Sequence, residues 1–415
     1  MTKPVTTPAT RRDFLKTTAL GAAALSSGGR WNLVKAAPNE PAKPKKLIAW
    51  GGIDWYSPET VQINIRKIEE LPFDGTVLQG FKSNSDPKVM FDWLCFGQQK
   101  LEREQFTDII ATIKNTDFQR FTNNLLRVNV TPGDADWFDD FGPILHNAAW
   151  WAQVTKEVGC PGWAFDIEDY KGTVFNYAKM KYKDTKSFEE YAEQVRKRGR
   201  EYMSAVQEAN PEIVLLAMLG HSYVNRTPQA RDKLPELEYG LMPAFLDGMI
   251  EVVERPARII DGHEQSYGYF TDEDFAAGLK STRKGALALV PPELHEKYQA
   301  HMEVGMAIYV NYTLHLEGVA RGPSEYLTPE ERLQLFEHNI YYALDTTDEY
   351  AWCYGERIGW WEEGHPVALP KGALEAIRSA RAKFDAGVPL GFDMTERIAQ
   401  AKATMEAERK KEAGE

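Results

Sequence analysis

Eight short apolar runs recur along this chain with amphipathic stretches between them, and this alternation restricts the available folds more than any other feature. The runs cover 47–50, 75–78, 124–130, 163–165, 213–219, 258–260, 306–310 and 350–354. They are short for helices. The clearest, 213–219, is apolar throughout, as a parallel strand covered on both faces must be. The intervening stretches carry the 3.6-residue period of helices. Ser57-Pro58-Glu59-Thr60 opens one with apolar Val61, Ile65, Ile68 and Leu71. Others are expected over 106–113, 144–158, 241–253, 272–284 and 329–343. The strongest spans 187–209, where a Ser cap precedes a stripe of Phe188, Tyr191, Val195, Tyr202 and Val206 with charges opposite. Strand and helix alternating eight times predict an α/β fold, a (β/α)8 TIM barrel over 47–373, with 374–415 as a helical tail packed outside it.

The chain opens differently. Thr10-Arg11-Arg12-Asp13-Phe14-Leu15-Lys16 resembles the twin-arginine export motif, and an Ala-rich run to Ser27 and a small-residue site ending at Ala36 follow. The run is too short and too poor in Leu and Ile to span a bilayer, so it reads as a processing segment. The resemblance implies a bacterial protein that folds in the cytoplasm, meets the twin-arginine translocase, and works in the periplasm or outside the cell. Residues 1–36 are then the signal and the Pro-, Ala- and Lys-rich 37–46 a linker.

Removing 1–36 takes away six basic residues and one acid, which moves the net charge from −12 to −17. Such a body repels nucleic acid and anionic membranes. It also disfavours a polyanionic substrate. Cys95, Cys160 and Cys353 are far apart without a CxxC pair, so they read as buried apolar residues and not a disulfide framework.

In a (β/α)8 barrel the active site forms where the strands end at the C-terminal face, so residues just past each apolar run should converge. The fourth run leads into Asp166-Ile167-Glu168-Asp169-Tyr170, three carboxylates within four residues. Acids side by side at a strand end are costly unless chemistry, a metal or hydrogen bonds use them, although a solvated turn would also hold them. The other run ends supply Asp54 and Trp55, Gln79, His221 and Tyr223, then His263, Glu264 and Tyr267, Asn311, and finally Glu356, Trp360 and Trp361. Acids and aromatics dominate. The indoles suit a sugar ring, and they equally suit a plug at the barrel mouth.

With these clusters the sequence resembles the barrel-fold glycoside hydrolases. A strand-four Asp with a strand-six acid is similar to the α-galactosidase and α-fucosidase type. Phe165-Asp166-Ile167-Glu168 resembles the D-x-E end of chitinase-type barrels, without the longer run of aspartates that precedes it there. The resemblance implies a carbohydrate substrate and no cofactor. It implies Asp166 as nucleophile or base, Glu264 as acid/base and Glu168 as the alternative acid, the remaining residues binding substrate. Two other readings stay open: a barrel that binds glycans without cutting them, and a metal-dependent isomerase or lyase using Asp166, Glu168, His221 and His263. No HExxH, GxSxG or dinucleotide-binding glycine pattern is present, and Gly51-Gly52 alone suits a tight turn.

Overall fold

The computed structural model describes residues 43–51, 56–227, 230–316, 321–361 and 367–413. The export motif, Asp54 and Trp55 lie outside the described residues. The strands are β1 (Lys46–Gly51), β2 (Gly75–Leu78), β3 (Leu125–Asn129), β4 (Gly162–Asp166), β5 (Val214–Ala217), β6 (Arg258–Asp261), β7 (Met302–Val304), β8 (Met306–Tyr309) and β9 (Tyr350–Gly355). All pairings between them are parallel, in the order β7-β6-β5-β4-β3-β2-β1-β9-β8.

Only Gly305 separates β7 from β8, so nine segments make an eight-stranded closed barrel. The lower half of the broken strand pairs with β6 and the upper half with β9. A Cβ on Gly305 would stand 3.1 Å from the Asp261 carbonyl oxygen and from the Gly262 Cα, which is why glycine occupies the break. Past it, β8 has lost β6 as a neighbour. Ser266 takes over, its hydroxyl donating to the Ala307 carbonyl and accepting the Ala307 amide.

The ring of helices comprises α1 (Pro58–Ile68), α2 (Thr107–Asn115), α3 (Gly142–Glu157), α4 (Phe188–Ala209), α5 (Met242–Val252), α6 (Asp272–Arg283), α7 (Pro329–Thr346) and α8 (Ala373–Asp385). Their starts follow the sequence signals. Ser57 caps α1, and Ser187 with Glu190, Thr271 with Asp274 and Thr328 with Glu331 form reciprocal capping boxes. The architecture is thus the (β/α)8 barrel that the alternation predicts.

The expected boundary at 373/374 falls at the start of α8, the eighth helix of the ring. It buries Ala376, Ile377 and Ala380, and Arg381 bonds Asp74 below β2. The outer helix is α9 (Thr395–Ala413), which buries only Ile398 and Ala401 and is held by ion pairs such as Arg397–Glu331. Among the described residues no helix is long and apolar enough to cross a membrane. The three cysteines are buried and unpaired.

Candidate functional site

An aromatic floor closes the upper barrel. Trp50 meets Trp352 at 5.2 Å, and Tyr267 meets Tyr309 and Trp352 at 5.2 and 5.4 Å. The Trp352 indole donates to the Gly262 carbonyl at 2.8 Å. Because β9 and β6 are not neighbours, that bond crosses the barrel interior. Gln79 lies in the same layer, bonded to the Gly51 carbonyl and facing the Trp50 indole.

On one side of this floor stands a buried charge cluster. Arg127 is the one charged residue of the buried strand β3, and its guanidinium donates twice to Asp166 Oδ2, at 2.7 and 3.1 Å. Its third nitrogen lies 3.6 Å from Asp92, which itself accepts the Gly80 and Phe81 amides. Burial pushes the Asp92 carboxyl up against the pull of Arg127 and those amides. Trp93 covers the guanidinium at 4.5 Å. All three charged residues are at most 3% exposed.

Asp166 is therefore one half of a buried ion pair. Glu168, half-buried, is the carboxylate next to it, and Tyr170 joins the two: its phenol oxygen is 2.7 Å from Glu168 Oε2 and 3.0 Å from Asp166 Oδ2. A phenol has one proton, so it cannot donate to both at once. Tyr170 is thus a donor that the two carboxylates compete for. Asp169 turns away from this pair. Its amide donates to the Tyr239 phenol at 3.1 Å.

Across the mouth, Glu264 opens the turn after β6 and is 1% exposed, its amide bonded to the Met218 carbonyl. The Tyr223 phenol lies within electrostatic reach of both Glu264 and Glu168. Burial drives the Tyr223 phenol up to about 12, Arg226 opposes this from 4.0 Å over the ring, and Glu264 and Glu168 both add to the rise. The carboxylates from the β4 and β6 ends thus act on one phenol.

A third carboxylate, Glu356, lies past β9. Tyr309 donates to its Oε2 at 2.9 Å, and the Asn311 side-chain amide bonds both main-chain groups of Glu356, accepting its N–H and donating to its carbonyl.

Two histidines expected to bind substrate are fully buried instead. His221 Nε2 meets Asp247 on α5 at 2.9 Å, and its ring packs on Tyr298. His263 has a left-handed backbone, φ 51°, and sits between Tyr269, Ser222, Gln265 and Thr282. Gln265 donates to Nδ1, which leaves Nε2–H to donate to the Tyr269 oxygen. Burial lowers the imidazole to about 4, so it is neutral at pH 7. Neither ring is open to a ligand, and among the described residues no group of three or more His, Cys, Asp or Glu side chains is placed to hold a metal ion.

Trp360 and Trp361 are elsewhere. They line a groove of about 910 Å³ between α1 and α8 with Lys67, Lys371 and Arg378, and pack edge-on against Phe73 and Tyr56. None of the carboxylates above lines that groove.

Reading the sequence alone missed Arg127, Asp92, Trp93 and Tyr239. A charge inside an apolar strand and an acid between aromatics were the available signals for the first two.

No protein-family model matches the chain, and no curated protein is similar to it. Solved structures with a similar backbone include a Bacteroidetes-affiliated GH5 cellulase, 11% identical, with 83% of this chain and 93% of that one covered at a TM-score of 0.45. Xylanase 10C from Cellvibrio japonicus is 10% identical over 84% of this chain and 72% of that one, at 0.44. An Anoxybacillus α-amylase is 11% identical over 82% and 78%, at 0.41. Such likeness concerns the path of the backbone, and one barrel hosts many chemistries, so function has to be read from the side chains.

Proposed function

We propose that this protein is an exported glycoside hydrolase of uncharged oligo- or polysaccharides, with Glu168 as proton donor and Glu264 as the opposing carboxylate. The convergence of these two acids on Tyr223, above an aromatic floor at the C-terminal end of the barrel, is the observation that carries this reading. Glycoside cleavage needs one carboxylic acid to protonate the leaving oxygen and one carboxylate to balance positive charge at the anomeric carbon. Glu168 gives its proton to the glycosidic oxygen, the C–O bond breaks, and the leaving sugar departs as an alcohol. Glu264 stabilises the oxocarbenium charge. Water then adds its hydroxyl to the anomeric carbon, and its remaining proton returns to Glu168. Tyr170 and Asp166 receive and hold that proton's hydrogen bond. Asp166, already paired with Arg127, sets the field around the acid and takes no direct part in bond cleavage.

Release of reducing ends from a panel of neutral glycans tests the assignment. Cleavage of at least one is expected. Binding of a glycan that stays intact on long incubation would replace this reading with that of a sugar-binding barrel. Tyr170→Phe should lower turnover about 10-fold while changing stability by no more than about 1.5 kcal/mol, since it removes one hydroxyl and no charge. Equal activity of Y170F and wild type would remove Tyr170 from the proton path.

Export belongs to the same proposal. The Arg11-Arg12 pair supports it, and replacing both by Lys should leave unprocessed precursor in the cytoplasm. Normal export of that variant would refute it.

A further inference from the structure

Asp169 has a role that neither the ion pair nor the two working acids explains. Both oxygens of its carboxyl are buried without a hydrogen-bond partner, although the residue's backbone lies at the site. The groups facing it are Glu238 and Tyr239 from the segment before α5, Lys179 from the turn Tyr177–Lys179, and Glu168 from its own strand end. The Val174 amide also faces the carboxyl and opposes the rise. Two acids and one ammonium make this a poor place for a carboxylate. Burial, and then Glu238, push the group up to about 8.

Its neighbours on either side are the working parts. Glu168 and Tyr170 are bonded to each other, and Tyr170 packs edge-on against Trp93 at 5.4 Å. A charge forming at Asp169 would have to leave its buried position for water, and the backbone it shares with Glu168 and Tyr170 would turn with it.

We propose that Asp169 is a positioning residue: its buried carboxyl holds the Glu168–Tyr170 arm in working geometry only while neutral, which makes Asp169 the source of the alkaline limit of activity. This rests on the glycosidase reading for its catalytic consequence but not for the movement of the arm.

The experiment therefore has two readouts. Amide hydrogen exchange of residues 166–175, corrected for intrinsic rates, is followed from pH 6 to 10, and kcat/KM is followed over the same range on a glycan that the wild type cleaves. In the wild type both protection and kcat/KM should fall together above about pH 8. In Asp169→Asn, which keeps the shape and cannot ionise, neither should fall until at least about one pH unit higher. Glu238→Gln, at an exposed position that does not threaten folding, removes the like charge and should move both falls to lower pH. An exchange profile without a step, or a step unmoved in both variants, would overturn the proposal. A step that moves as described in a protein that cleaves no glycan would leave the arm movement standing and remove the glycosidase reading.

Discussion

Glu168→Gln and Glu264→Gln are each expected to lose about 10² to 10⁴ of turnover on any glycan the wild type cleaves. Gln keeps the size and hydrogen-bonding reach of Glu and lacks only the exchangeable proton and the charge. For Glu168 the loss is of the proton delivered to the leaving oxygen, so substrates with good leaving groups should be affected least. For Glu264 the loss is of charge stabilisation at the anomeric carbon, so leaving-group quality should matter less. The double variant should be little worse than the poorer single one, because the two acids serve one transition state. Rate measurements with an aryl glycoside series beside the natural glycan check all three statements. Near wild-type rates in Glu264→Gln would show that the β6 end does not take part, and Glu356, held by Tyr309 and Asn311, would then be the carboxylate to test.

Arg127→Met carries the largest expected effect on stability. Among the described residues the guanidinium is the one cation bonded to Asp166; it lies within 3.6 Å of Asp92, and all three side chains are buried. Removing it strands two carboxylates, at a cost of about 3–5 kcal/mol, or a fall in Tm on the order of 5–10 °C. Asp166→Asn alone should cost less, since Asp92 still faces the cation. Arg127→Met combined with Asp166→Asn and Asp92→Asn should recover much of the loss, because the stranded charge and not the missing contact dominates. Thermal or urea unfolding of the four proteins decides this. If Arg127→Met were as stable as wild type, the cluster would be more hydrated than its burial indicates.

Much of the barrel was legible in advance because its determinants are local. The continuous apolar run at 213–219 contains β5, and the Ser187 cap with its apolar stripe predicts α4 to within a residue or two. Caps, periods and short apolar runs each act over a few residues, so they survive in one-dimensional form. The interruption of the broken strand at Gly305 was not legible, since the reason for it is the proximity of Asp261 and Gly262, more than forty residues away. The same holds for α8. Its pattern shows a helix, but only its contact with Asp74 shows that it completes the ring.

What the sequence determined by itself is the inventory: eight strands, the helices between them, and acids and aromatics at the strand ends. The roles within that inventory were decided by tertiary structure. Asp166, Glu168 and Asp169 are chemically alike and adjacent along the chain, yet one is paired with Arg127 from β3, one is bonded to Tyr170, and one faces Glu238 without a partner. His221 and His263 look like strand-end ligands in the sequence and are buried away from the mouth. The state of a titratable group depends on burial and on charges within a few ångströms, and those neighbours come from strands and loops that only the closed barrel brings together.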